Sequence, residues 1–423
     1  KTNPISPDIS MRCHCFVATI ATIALASTAS CFSIASSSTA TRRQPNVYSQ
    51  SIGHRRQPTL HDDNDVVGSN NPFTITRTQH HHYPTSTSLQ SSSILSALPA
   101  AVPATDIVRT VIGIILARRI SNSGLKKKSL DQSGALSAFI VASLSLATSW
   151  RNGITLLAFY WTSSKLTRVG SNIKGKLEEG ATEGGERGAM QVFACSLIGV
   201  ICACIRRLFV GSDGPLRLGG SSVVTTTTLP TTFAIMGDQL TLAYVAFFAC
   251  CAGDTWASEL GVLSKSLPRL IIKPWKKVPP GTNGGISAVG LGASAAGGML
   301  MGLLHGVFVP GGIASLMLLF NNNLASSALS AISPAQLGRE VLVLTFVGFM
   351  GGFGGSLLDS LLGATVQATY YDDETKKIAK RSGPTTTKVG GWGFLSNEMV
   401  NVVSTAMSAL VAALLARPLL NWI

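Results

Sequence analysis

The chain has 423 residues, 46% of them hydrophobic and only 13% charged, with a mean hydropathy of +0.33. Thirty-four Lys and Arg against 20 Asp and Glu give a formal net charge of +14. Repeated apolar runs exclude an ordinary soluble multidomain protein. They also cut the basic residues into short blocks with no continuous basic face, which excludes a nucleic-acid binder and favours lipid headgroups or phosphorylated substrates.

The first hundred residues read as a presequence followed by a disordered linker. Met11 has the place of a start residue, Arg12 leads a short apolar stretch, Phe16–Ala26, and small residues follow to Ser30. That is a signal-peptide layout, too short to span a bilayer. A Ser/Thr-rich tract with Arg42, Arg43, Arg55 and Arg56 comes next, free of acids until Asp62. Together they resemble a two-part plastid presequence; a plain secretory signal with a linker is the alternative. The His80–His82 run belongs to this low-complexity region.

Residues 101–423 read as one all-α, polytopic membrane domain with about seven or eight spans, counted by apolar length. The predicted spans are 101–117, 134–150, 152–164, 188–205, 231–252, 285–309, 341–363 and 398–417. The second and third, parted only by Arg151 and Asn152, form a tight hairpin or a broken helix. Residues 311–332, interrupted by Asn321–Asn323, read as a re-entrant or surface segment. The polar loops 118–133, 165–187, 253–284 and 364–397 then share one side. That side carries Lys126–Lys128, Lys174, Lys176, Lys276 and Lys277, and is the cytosolic or stromal one by the positive-inside rule. Glycines cluster in the later spans, at Gly297, Gly298, Gly302, Gly306, Gly348, Gly351, Gly352, Gly354 and Gly355, which suits close helix packing in lipid. Cys195, Cys202, Cys204, Cys250 and Cys251 lie in apolar runs and read as small hydrophobes.

The chemistry concentrates in Gly253–Gly285, where acids, bases, prolines and glycines follow an apolar run. Ionisable groups at membrane depth are costly and mark functional sites. Asp254 is the candidate magnesium ligand. If the helix runs on to Ser264, Asp254, Ser258, Gly261 and Lys265 form one stripe, with Glu259, a further candidate ligand, about 140° away. Arg269, Lys273, Lys276 and Lys277 offer charge for phosphate, and Gly281–Gly285, with Thr282, Asn283 and Gly284, offers hydrogen-bond donors to an anion. The alternative places these cations on lipid headgroups. Asp359 lies inside a span, with Ser356, Ser360 and Gly363 on the same face, as a second ligand or an orienter of the acceptor. Asn397 and Asn401 make a further polar patch one turn apart. Two glycine patterns are decoys: Gly170–Lys176 lacks the Ser or Thr of a P-loop because Leu177 stands there, and Gly290-x-Gly292-x-x-Ala295 lies within an apolar span.

From Ser133 to Arg417 these motifs resemble the transmembrane-protein-nineteen family, which includes the plant phytyl-phosphate kinase of vitamin E synthesis. They are SSKLT (Ser163–Thr167), EGGER (Glu183–Arg187), AGDTWASELG (Ala252–Gly261), LSKSLPRLI (Leu263–Ile271), VPPGTNGGIS (Val278–Ser287), LLDSLLGATVQ (Leu357–Gln367), and Asn397 with Asn401. The chain departs from the family pattern at Glu186 and Gly188. The resemblance implies transfer of a nucleoside triphosphate's γ-phosphoryl group to an isoprenoid monophosphate in a plastid membrane. Magnesium is the implied ion, CTP a plausible donor and phytyl phosphate the acceptor. On this reading Asp254, Asp359 and Lys265 carry the chemistry, with Asp254, Glu259 and Asp359 at the metal. Arg269, Lys276, Lys277, Thr282, Asn283 and Gly284 hold the nucleotide, and Lys165, Glu183, Arg187, Asn397 and Asn401 hold the acceptor. The alternatives are a lipid-phosphate cytidylyltransferase and a transporter of a phosphorylated metabolite.

Overall fold

The computed structural model describes residues 103–171, 173–174, 186–211, 213–218, 231–320, 332–379 and 382–422. The presequence, Glu183, Lys176 and Asn321–Asn323 lie outside these residues. Ten helices follow in chain order among the described residues. They are α1 (Ala104–Lys126), α2 (Gln132–Thr148), α3 (Trp150–Arg168), α4 (Ala189–Ala194), α5 (Leu197–Phe209), α6 (Thr231–Gly261), α7 (Ala288–Val307), α8 (Gly312–Phe320), α9 (Pro334–Val366) and α10 (Asn397–Trp422). By length and composition α6, α7, α9 and α10 are able to cross a membrane, and α2 is a shorter apolar helix. Large apolar side chains point outward on α1 (Ile107, Val108, Val111, Ile112, Ile115) and on α10 (Leu410, Val411, Leu414, Leu415). Such a ring of exposed apolar residues meets lipid, not water.

Local chemistry sets the boundaries. Asp131 caps α2 by accepting from the Gly134 amide at 2.7 Å, and Ser287 caps α7 by accepting from Gly290 at 3.1 Å. Ser333 caps α9 with Pro334 in the first turn, where the missing N–H costs nothing. Between α2 and α3 only Ser149 is extended (φ −165°, ψ 149°). It ends one helix and caps the next, so the two predicted short spans are an antiparallel hairpin with a one-residue turn. The predicted span 188–205 is broken at Cys195 and Ser196 into α4 and α5.

The core is built on α6, whose Tyr244, Phe247 and Phe248 pack with Val141, Leu156, Phe159 and Met301. Along one side of it α6, α7 and α9 meet backbone to backbone. A Cβ on Gly302 would lie 1.9 Å from the Leu344 oxygen, one on Gly298 2.2 Å from Gly348 O, and one on Gly253 2.5 Å from Gly352 O. Those contacts are far inside van der Waals range, so only glycine permits this approach. Gly354 differs: no atom lies within 4 Å of its ideal Cβ.

Two small sheets, not expected from the sequence, occupy the loops. β1 (Arg269–Leu270), β2 (Lys273–Lys277) and β3 (Gly285–Ile286) form one, in the order β2-β1-β3. β4 (Thr369–Asp372), β5 (Lys377–Ala379) and β6 (Thr386–Gly390) form the other, in the order β5-β4-β6. Both sit at the end of the bundle where α6 and α9 finish and α7 and α10 begin.

Candidate functional site

At that end of the bundle a cavity of about 1540 Å³ opens between the helix ends and the two sheets. The continuation of α6 to Gly261 places the start of the Gly253–Gly285 segment inside a helix, not a loop. Gly253 touches Gly352 on α9, and the next residue, Asp254, is turned into the cavity. Asp359 lies seven residues beyond Gly352, two helical turns on and therefore on the same face. Asp254 and Asp359 border one narrow void together with Cys195, Asn401 and Ser404.

The two acids differ in their partners. Asp359 accepts from Ser404 Oγ at 2.8 Å. Among the described residues Asp254 has no hydrogen-bond donor at all, and its charge interactions are with Asp359 and Cys195. A half-buried carboxylate without a protein donor, facing an open cavity, is free to take water, a cation or a ligand.

Beside the Cys195 and Cys251 thiols, the void is bordered by oxygens that a hard cation takes: two carboxylates, the Asn401 amide and the Ser404 hydroxyl. Among the described residues no three His, Cys, Asp or Glu side chains converge on one point. A magnesium ion fits such a set, because it commonly binds through one or two carboxylates and completes its shell with water and substrate phosphate. Glu259 is not part of it. Its carboxylate pairs with Lys174 at 2.5 Å and accepts from Thr167 Oγ1 at 2.8 Å, on the side of the cavity made by α3.

Arg187 supplies positive charge. Its backbone is fixed by a bridge to Leu130 and by the Asp131 amide, which donates to Arg187 O at 3.2 Å. Gly134 passes so close that a Cβ there would lie 2.0 Å from the same oxygen. The guanidinium lines the cavity, donates only long 3.4 Å bonds to Ser164 and Thr167, and pairs with no carboxylate among the described residues. Taken together, the cavity wall carries Glu186, Asp254, Glu259, Asp359 and Glu398 against Lys174 and Arg187. Among the described residues it is an acidic chamber in which Arg187 is the one cation without a carboxylate partner.

The Val278–Gly285 turn forms another wall, on the same side as Asp254. Gly284 has φ +76°, and its ideal Cβ would fall 2.3 Å from Ala364 Cβ, so glycine lets the turn lie against α9 just past Asp359. Thr282 is buried, and its hydroxyl donates to Pro279 O at 2.7 Å. Asn283 ties the turn to β4: its amide meets Thr369 Oγ1 at 3.3 Å and its side chain Ala368 O at 3.5 Å. Asn397 accepts from Gln367 at 3.5 Å, and both line the cavity with Asn401.

The remaining expected bases are elsewhere. Because α6 ends at Gly261, the stripe from Asp254 breaks before Lys265, which is exposed. Arg269 is exposed and donates to Pro274 O at 2.9 Å within its own hairpin. Every residue of β2 is exposed, Lys273, Lys276 and Lys277 included, around a Trp275 that is 76% exposed. Lys165 lies over the Trp161 ring at 3.6 Å on the outer face of α3. None of these six lines the cavity. A tryptophan among lysines on an exposed hairpin is the composition of a headgroup-level anchor.

A second polar cluster, not anticipated from the sequence, closes the opposite end of the bundle. Buried Arg151 on α3 pairs with Asp213 at 2.6 Å and with Glu340 on α9 at 3.1 Å. Ser149 donates to Asp213 at 2.5 Å, and the Leu216 amide to Glu340 at 2.7 Å. Burial opposes ionisation of Asp213, but the Arg151 and Arg206 guanidiniums outweigh it and hold this carboxyl well below the ordinary carboxylate range. The only hint in the sequence was Arg151 itself, a charge between two apolar runs.

A family model described as "Integral membrane protein DUF92" matches residues 115–409. Protein PGR of Arabidopsis thaliana is 34% identical over 307 residues, covering 72% of this chain and 96% of that protein. An uncharacterised membrane protein of Synechocystis is 25% identical, covering 63% of this chain and 74% of its own length. One from Methanocaldococcus jannaschii is 26% identical, covering 44% of this chain and 58% of its own. No solved structure matches the chain. With most of its helical domain matched, the chain belongs to the DUF92 family of integral membrane proteins, the family related to transmembrane protein nineteen and phytyl-phosphate kinase that its motifs resemble.

Proposed function

We propose that the protein is a membrane-embedded kinase that transfers the γ-phosphoryl group of a nucleoside triphosphate, CTP by preference, to an isoprenoid monophosphate such as phytyl phosphate. One observation carries the reading. A single cavity holds Asp254, which among the described residues has no hydrogen-bond donor, beside Asp359, and Arg187, which among them has no carboxylate partner. Such a pairing of unmet charges suits a phosphate that arrives with a divalent cation.

In the reaction an acceptor phosphate oxygen attacks the γ-phosphorus. The bond from phosphorus to the β–γ bridging oxygen breaks, and the nucleoside diphosphate leaves with that electron pair, giving the lipid diphosphate. No side-chain base is required, since a phosphate monoester is already an anionic nucleophile near neutral pH. Transfer of this kind is mainly positioning and charge neutralisation. Arg187 would grip the acceptor phosphate through its planar fork. Asp254 and Asp359 would hold magnesium, with Ser404 fixing the Asp359 carboxylate, and the chemistry magnesium supplies when bound is neutralisation of phosphate charge. The acidic wall disfavours a bare nucleotide, so binding requires the divalent cation. A plastid membrane and a place in tocopherol synthesis belong to the same reading, from the leader and the motifs. The GDTWASELG pattern also suits a lipid-phosphate cytidylyltransferase, which would release pyrophosphate.

The test is purified protein with phytyl phosphate, magnesium and each nucleoside triphosphate. Phytyl diphosphate and a nucleoside diphosphate are expected, and Asp254→Asn abolishes both while the melting temperature is kept. Failure to form phytyl diphosphate with any nucleotide refutes the kinase.

A further inference from the structure

The cavity has two chemically distinct halves, and the second half is not explained by phosphate chemistry. From its polar mouth at Thr167 it runs inward past Tyr160 to a floor at mid-bundle made by Ala117 on α1, Ala142 on α2, Leu156 on α3 and Phe248 on α6. All four floor residues are buried in the core. Thr167 and Leu156 are eleven residues apart on α3, so the inner half is about 16 Å deep at the helical rise per residue. Phe248 lies six residues before Asp254 on α6, about 9 Å deeper than the acids. The walls are mainly Ala, Val, Ile, Leu and Phe, and the Ser121 and Tyr160 hydroxyls among them are already bonded to Ala135 O and to Ser129. Water therefore finds few partners, and the chamber suits hydrocarbon.

The glycine-lined interfaces provide no such space. The 1.9–2.5 Å approaches of ideal Cβ atoms at Gly302, Gly298 and Gly253 mean that α6, α7 and α9 are already in backbone contact. An acceptor's hydrocarbon chain therefore has no room between these glycine-lined helices.

We infer that the inner half of the cavity, between α1, α2, α3 and α6, holds the hydrocarbon chain of a single-chain lipid monophosphate, and that Ala142, with Ala138 one turn nearer the mouth, sets the longest chain accepted. The inference rests on the kinase reading for the phosphate head, and adds the site and length limit of the tail. Small residues at the floor leave room that a larger side chain would fill. Ala142→Leu raises the floor, Ala138→Leu raises it further towards the mouth, and Leu156→Ala lowers it.

Chain length is read in two assays on the detergent-solubilised protein, with geranyl, farnesyl, geranylgeranyl and phytyl monophosphates. One is binding without nucleotide, by native mass spectrometry; the other is turnover with magnesium and CTP. Ala142→Leu should raise the ratio of geranyl to phytyl binding about tenfold, the scale at which an apolar pocket senses a few methylenes. Ala138→Leu should raise it more, and Leu156→Ala should lower it. An unchanged ratio in Leu156→Ala and in whichever alanine variant folds overturns the inference. If turnover is absent in the wild type while the binding ratios shift as stated, the kinase reading fails and the chain site stands. If turnover is present and the ratios stay fixed, the reverse holds.

Discussion

Replacing Gly253 by Ala puts one methyl group where α6 and α9 touch. Its ideal Cβ would sit 2.5 Å from Gly352 O, 2.7 Å from Gly352 Cα and 2.8 Å from Gly352 C, about 0.9 Å short of the 3.4 Å at which ordinary contact begins. All three opposing atoms are backbone, so no side chain can swing aside and the helices must part. Overpacking of this kind costs about 1–3 kcal/mol of stability. The larger effect should be on activity. Asp254 is the adjacent residue and Asp359 lies two turns along α9 from the contact, so a shift of nearly 1 Å reaches both carboxylates undiminished. Misplacement on that scale costs about a hundredfold in rate. The assay is phosphoryl transfer from magnesium-bound CTP to phytyl phosphate in micelles, with magnesium-dependent nucleotide binding and melting temperature followed in parallel. Gly354→Ala, with no atom within 4 Å of the new methyl, is the matched control and should behave as wild type. Equal turnover and equal nucleotide affinity in the two variants would refute the argument that this contact positions the acids.

Asp213→Asn removes one partner of a buried, doubly paired guanidinium cluster and should destabilise the protein by about 3–5 kcal/mol, seen as a lowered melting temperature. The sign with pH follows from the lowered folded-state pKa of this carboxyl. Its contribution is present above the unfolded value of about 4 and is lost as pH falls below that towards the folded value. The deficit of the variant should therefore be constant from about pH 8 to about pH 5 and close only in stronger acid; a deficit that closes near neutrality would contradict this. Neutralising the exposed hairpin, as Lys273→Gln with Lys276→Gln and Lys277→Gln, should lower retention of anionic lipid in native mass spectra yet change nucleotide affinity less than about twofold, since these side chains are outside the cavity. A loss of nucleotide binding comparable with that of Asp254→Asn would return them to the site.

Much of the helical framework was legible because apolar length and glycine clustering report directly on what lipid permits. Asp254 and Asp359 stood out for the same reason, as charges where charge is expensive. The bases misled because closeness along the chain was taken for closeness in space. Lys265 follows the end of α6, and the β1–β2 hairpin carries Lys273, Lys276 and Lys277 outward while the turn after it folds back to α9. Gly284 was the signal for that return, but its reason, contact with Ala364, depends on a helix eighty residues away. The Arg151–Asp213–Glu340 cluster escaped notice for a similar reason. Its members are far apart in sequence, and each alone resembles a loop or interface charge.

The backbone-to-backbone seam of α6, α7 and α9 has a consequence for how such a molecule can change. Where main chain meets main chain, almost every replacement is a collision, so the strip bearing the two acids resists alteration. The opposite wall, contributed by α1, α2 and α3, is made of ordinary side chains that can be enlarged or trimmed independently. New hydrophobic cargo can therefore be accommodated by reshaping that wall while the charged end is left as it is.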